Sequence, residues 1–162
     1  MAKTVVLKGD PVRKEGVAAE AVTPGHLIEF VPSGPDAGKL RKHASAGQNA
    51  APMFAVEEEF VGDDIDTAYA ASDTAQYVAA RPGDEVNALV AAGAAAIVKG
   101  NFLESAGNGT VRKHTVPSQA VNEGGTNSYT ITQYTRAVVG QALEAVDNSG
   151  GGTAVRIKVE VL

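Results

Sequence analysis

Alternation of apolar and charged positions is clearest at the end of the chain, where Val155, Ile157, Val159 and Val161 are separated by Arg156, Lys158 and Glu160. A period of two is that of a strand with one buried and one wet face. Shorter β-branched or aromatic runs precede it: "KTVVLKG", "HLIEFV", "MFAVEEEF", "QYVAA", "EVNALVA", "AIVKG" and "SYTITQYTRAVVGQAL". Pro- and Gly-rich turns divide them, among them "RPGD", "AGNG", "NEGGTN" and "DNSGGG". "HLIEFV" closes on "PSGPDAG" and resumes as "KLRKHA", which reads as a hairpin, and the chain ends as strand, Gly-rich turn, strand. The Ala content of "DEVNALVAAGAAAIVKG" suits a helix. Gly93 and the β-branched pair Ile97 and Val98 favour instead a strand at Glu85–Ala91, a turn at Gly93 and a strand at Ala95–Lys99. "FVGDDIDTAYAASDTAQ" shows no period and reads as a contact loop with at most a short helical turn.

Two segments repeat. "GHLIEFVPSGPDAGKLRKH" and "GNFLESAGNGTVRKH" share a leading Gly, an apolar pair, a Glu (Glu29, Glu104), a Gly-containing turn, and Arg-Lys-His after an apolar residue. The first copy's turn is four residues longer. The segments downstream of the two copies are also similar in outline, since "MFAVEEEFVGDD" and "AVVGQALEAVDN" both run from an aliphatic strand through acidic residues to a turn. The pattern predicts two related hairpin units in one β-rich domain, with Arg41, Lys42, Arg112 and Lys113 flanking apolar strand positions and facing solvent.

Composition narrows the function classes. A chain of 162 residues with 18 Gly, 7 Pro and 5% aromatics has many turns and a thin Ala/Val core. With 14 Lys and Arg against 19 Asp and Glu, its net charge of −5 argues against nucleic acid as the main partner. The lack of Cys excludes disulfides and thiolate metal sites, so stability comes from packing or assembly. "MAKTVVLKGD" holds no signal-like apolar run, and no segment approaches the roughly 18 apolar residues of a membrane span, so a soluble protein made in the cytoplasm is expected.

No catalytic constellation emerges, and neither an enzyme nor a cofactor is expected. The histidines are His26, His43 and His114, the last two each after Arg-Lys on strands read as exposed, where a nearby cation disfavours a second charge. No nucleophile elbow, zinc-protease pair or phosphate loop is present, and Gly150–Gly152 lacks the Lys and helix of a phosphate loop. Asp63, Asp64 and Asp66 are the best metal candidates but lack the central Gly and downstream Glu of a calcium loop, so an acidic solvated turn is expected and no metal. Glu57 and Glu59 on one strand would share a face, as a solvated stripe or as partners for a basic surface. Tyr69, Tyr77, Tyr129 and Tyr134 are the only Tyr rings; side by side and exposed they would suit a carbohydrate-binding virion module, the alternative function.

"GHLIEFVPSG", "RPGDEVNALVAAGAAAIVKGNFLESAGNGTVRK" and "AVVGQALEAVDNSGGGTAVRIKVEVL" together resemble the capsid decoration (cement, head-stabilising) proteins of tailed bacteriophages, over residues 25–162. The ending carries most of the likeness; residues 57–75 and 116–130 look like insertions. The resemblance implies an all-β fold, a small β-barrel or β-sandwich built from hairpins with long loops, over residues 23–162. It also implies a virion protein, made in the bacterial cytoplasm, that binds the outer capsid surface and bridges major capsid protein subunits as a homotrimer or dimer. Residues 1–22 would be an arm ordered on the capsid, with Val5, Val6 and Leu7 adding a strand to a neighbour, or else the first strand of the chain's own sheet. Contact candidates are Val5, Val6, Leu7, Arg41, Lys42, Arg112, Lys113, Glu57 and Glu59.

Overall fold

Runs of small and β-branched residues divided by Gly turns give short strands, and the computed structural model, which describes residues 3–59, 62–116 and 136–162, has eleven of them. These are β1 (Val6–Lys8), β2 (Val12–Val17), β3 (Ile28–Phe30), β4 (Leu40–Lys42), β5 (Met53–Ala55), β6 (Thr74–Ala79), β7 (Glu85–Val90), β8 (Phe102–Ser105), β9 (Val111–Lys113), β10 (Val138–Ala142) and β11 (Val155–Val161). One sheet has the order β1-β7-β11-β10-β8-β9 and closes on itself through a β7–β9 pairing, so β7, β11, β10, β8 and β9 form a five-stranded barrel. A three-stranded sheet, β2-β6-β5, and the β3-β4 hairpin lie beside it. The fold is all-β, and of the two expected architectures the barrel is the one formed.

A barrel of so few strands has a narrow interior, which small side chains fill. Val86, Ala88, Val90, Leu103, Val111, Val139, Ala142, Ile157, Val159 and Val161 occupy it, all buried, and so account for the Ala/Val bias of the composition. In β11 the predicted alternation holds: Ile157, Val159 and Val161 are buried and Lys158 is exposed. Its antiparallel partner β10 comes through the Gly-rich turn, where the buried Asn148 donates from Nδ2 to the carbonyls of Ala91 and Thr153, both at 2.9 Å. Gly140, opposite Val161, has no room for a side chain: a Cβ there would lie 2.4 Å from Val159 Cγ1 and 2.6 Å from the Glu160 carbonyl oxygen. Gly140→Ala is expected to cost about 2 kcal/mol of unfolding free energy, measured by urea denaturation, because one of the two obstacles is backbone and cannot rotate away.

The edge of β7 opposite β11 is covered piecemeal. Asn87 N–H donates to Val5 O (2.7 Å), Leu89 N–H to Gly25 O (3.1 Å) and Ala91 N–H to Val111 O (3.2 Å). Gly25 fits between β1 and β9 because it has no Cβ: its φ is +92°, and a Cβ would lie 2.9 Å from Asn87 O. Residues 25–27 tie the sheets together, since Gly25 N–H also donates to Ala55 O (2.8 Å) and Leu27 N–H to Gly109 O (2.7 Å).

One alternative is resolved and two expectations are corrected. Of the two readings of the N-terminus, the chain's own sheet is the one seen: β1 pairs with β7, and Val5 is fully buried. Residues 12–17, assigned to the arm, form β2, which pairs along its length with β6; with most of its residues exposed it shows no apolar alternation to betray it. Ala95–Lys99 is not a strand. Only Ile97 pairs, exchanging hydrogen bonds with Val146 at 2.8 and 2.9 Å, because one buried side chain is all that segment contributes to the core.

Candidate functional site

The two repeats fold as the hairpins β3-β4 and β8-β9, and their register makes the shared residues meet. Glu29 faces Arg41, and Glu104 faces Arg112. Alternation places them: Ile28 and Leu40 in the first hairpin, and Leu103 and Val111 in the second, are buried, so the next residue on each strand turns outward. In the first hairpin, Glu29 Oε1 accepts from Arg41 Nε and a terminal nitrogen, both at 2.8 Å. In the second, Glu104 Oε1 accepts from Arg112 at 2.9 and 2.8 Å, while Glu104 Oε2 lies 2.6 Å from His114 Nδ1. A carboxylate only accepts, so His114 Nδ1 carries the hydrogen.

The copies differ in burial. Glu29 keeps a quarter of its side chain exposed and Glu104 only 3%. The histidines reverse this order. His43, expected on the surface, is buried: Nε2 donates to the Asn49 carbonyl (3.1 Å), and Nδ1 shares a hydrogen bond with the Ser105 hydroxyl (2.8 Å). It thus bolts the first hairpin to the second, and two main-chain bonds reinforce the joint, Gly109 N–H to His43 O (3.1 Å) and Gly47 N–H to Ser105 O (2.9 Å). Arg-Lys-His is therefore one motif with two uses, and neither copy is a simple solvated strand end.

Lys42 Nζ reaches Glu20 at 3.5 Å, and its N–H donates to the same carboxylate (2.9 Å). Lys113 is exposed and in no ion pair among the described residues. A groove of about 520 Å³ lies on the first hairpin, lined by Glu20, Asp36, Arg41, Lys42 and Asn108. Another, of about 650 Å³, lies on the second, with Arg112 and Lys113 on its wall and Asn108 again at its rim. The structure thus gathers Arg41, Lys42, Arg112 and Lys113 around the turn that carries Asn108. Glu29, Glu20 and Glu104, the partners of Arg41, Lys42 and Arg112, are not among the contact candidates, although the Glu shared by both repeats signals two of them.

The remaining candidates lie elsewhere. Glu57 and Glu59 are not on a strand and do not form a stripe: Glu57 is buried, its carboxylate accepting from Thr4 Oγ1 and from Val5 N–H (3.0 Å), whereas Glu59 is exposed, 3.6 Å from Arg13. Glu57 therefore anchors the N-terminus, where Val5 is fully buried in the chain's own core and Val6 and Leu7 are partly exposed. Asp64 Oδ1 caps its own turn by accepting from Asp66 N–H (2.9 Å), and Asp66 pairs with Arg156 (3.1 Å). Tyr69 is buried with its hydroxyl donating to Val56 O (2.8 Å), and Tyr77 is buried edge-on to Phe30, ring centres 6.2 Å apart. Tyr129 and Tyr134, with most of the 116–130 segment, lie outside the described residues.

His26 stands where the sheets meet. Its Nδ1 accepts from Thr23 N–H (2.9 Å), and burial, reinforced by the charge of Lys42, lowers its pKa from 6.5 to about 4; Arg156 adds to the lowering and Glu20 opposes it.

No protein-family model matches the chain, and no curated protein does. Among solved structures, the fold is similar to the N base of the head fiber gp8.5 of bacteriophage phi29, at 12% identity, with a TM-score of 0.54 and 93% of each chain covered.

Proposed function

We infer that this protein is a structural component of a phage virion, a decoration protein that binds the outside of the assembled head and holds neighbouring major capsid subunits together without covalent bonds or catalysis. The observation that carries this reading is the likeness of the whole fold to a head-fiber base from phage phi29. The hairpin motifs and strand–turn–strand ending, which resemble those of decoration proteins, support it. So does the site: paired hairpins joined by His43 and main-chain bonds, with basic residues around the shared turn, suit docking. Self-association into trimers, or dimers, belongs to the same proposal.

Purified protein added to heads that lack it should bind to saturation and raise the temperature at which the heads release DNA, by the stabilisation any ligand of the folded, assembled state confers. Absence of both binding and protection overturns the reading. The cations on the rim should act through ionic strength. Arg41 and Arg112 cannot be removed cleanly, since each holds a less exposed carboxylate at 2.8 Å, whereas Lys42 lies 3.5 Å from the more exposed Glu20, so the informative variant is Lys42→Ser with Lys113→Ser. It should keep the native melting temperature within a few degrees and lose about fivefold in head affinity at low salt, with the difference vanishing at high salt.

A further inference from the structure

The barrel closes at the pair of Val90 with Val111, and beyond that pair the edge of β9 is unpaired among the described residues. Ala106 N–H donates to Thr110 O and His114 N–H to Phe102 O, both at 2.8 Å, so the even-numbered residues of this stretch bond to β8. The odd-numbered ones, Val111, Lys113 and Thr115, therefore turn N–H and C=O the other way. Val111 O takes the Ala91 N–H. From there the chain after β7 bends away through Gly93, whose φ is +67° and whose N–H donates to Gly151 O (3.0 Å). Lys113 and Thr115 are exposed, and no main-chain bond reaches them along this edge among the described residues.

The 650 Å³ groove runs along this edge. Its lining combines Ala91, Gly93, Ala94 and Ala95, with almost no side-chain bulk, and Arg112, Lys113 and Thr115. No carboxylate lines it among the described residues. A lysine on an edge strand discourages pairing with another basic or neutral strand, which is how edges are kept from aggregating. A second copy's β9 would set Arg112 and Lys113 against their own like, and the chain's first strand, which ends on Lys8 and follows Lys3, is basic too. An acidic strand meets the opposite situation: main-chain donors and acceptors in strand spacing, room for its side chains, and beside them the ammonium of Lys113, which no carboxylate pairs among the described residues, Arg112 being bound by Glu104.

We propose that the open edge of β9, at Lys113 and Thr115, receives an extended acidic segment of a partner protein by strand addition. The proposal goes beyond capsid binding, since it specifies a surface and a partner chemistry.

The test uses the full chain, labelled for NMR, with two capped hexapeptides, one alternating glutamate and valine and one alternating lysine and valine. The glutamate peptide should shift the amides of Lys113 and Thr115 and slow their hydrogen exchange at least about tenfold, and the lysine peptide should do neither. Thr115→Pro removes one edge donor while leaving Arg112, Lys113 and the β8 ladder in place, and should weaken the glutamate peptide about tenfold. Lys113→Glu should reverse the preference between peptides. Slow exchange of Lys113 and Thr115 in the free protein overturns the proposal, because the edge would already be covered; so does equal binding of the two peptides, or undiminished binding to Thr115→Pro. Peptide capture by a protein that fails to bind heads would uphold this edge and overturn the capsid reading alone.

Discussion

Glu104→Gln is expected to lower the unfolding free energy by about 3 kcal/mol, while Glu29→Gln, the same change in the other hairpin, should cost about 1 kcal/mol or less. The two carboxylates hold equivalent places in the repeat and grip their arginines at nearly the same distances. Burial separates them. Glu29 is open enough for water to replace much of what Arg41 supplies. Glu104 is almost sealed, and both of its oxygens are engaged, one by Arg112 and one by His114. A glutamine amide there would turn its NH2 donor toward either the Arg112 guanidinium or the Nδ1 hydrogen of His114 and leave Arg112 without its counter-charge. Because Arg112 stays nearly half exposed and can be rehydrated, the cost falls at the low end for a broken buried pair. Urea denaturation of the two variants against wild type gives the difference directly; equal losses would mean that cross-strand geometry, and not desolvation, sets the value of the pair.

The same pair of hairpins shows what could be seen in the amino-acid order and what could not. The duplication was visible because it repeats residue types at matched offsets, and pairing followed from the turns. That Glu, Arg and His would converge was also implicit, since a Glu after an inward apolar residue and an Arg after another share one face of a hairpin. The burial of His43 was not. It depends on Ser105 and Asn49, whose approach requires the second hairpin to pack against the first. The outline likeness between the segments downstream of the two repeats has a similar limit: both contain a strand, but β5 joins the small sheet and β10 the barrel. Periodicity exposed the barrel strands because their inner faces are dry. It could not expose β2, which is wet on most of its surface, nor show that Glu57 would be drawn inside to hold Val5 and Thr4.

Acid should loosen the junction at His26, by an amount and over a pH range that its environment sets. In the unfolded chain the imidazole takes up a proton near pH 6.5; in the folded protein it resists until about 4, because burial and the neighbouring Lys42 disfavour the charge. Between those values the unfolded state binds more protons, so stability falls as the pH falls. The contribution is complete above 6.5, erodes from there to about 4, and amounts to about 3 kcal/mol by the lower end. Protonation would also convert Nδ1 from acceptor to donor and break its bond from Thr23 N–H, at the segment where Gly25 and Leu27 tie β7, β5 and the β8-β9 turn together. His26→Asn retains an acceptor for Thr23 and cannot titrate. Urea unfolding of wild type and His26→Asn at a series of pH values from about 7.5 to about 4 should give two curves that converge as the pH falls, wild type losing about 3 kcal/mol more than the variant. The carboxylates titrate alike in both proteins and cancel in the comparison, so parallel curves would mean that the histidine's burial does not govern the acid sensitivity of the fold.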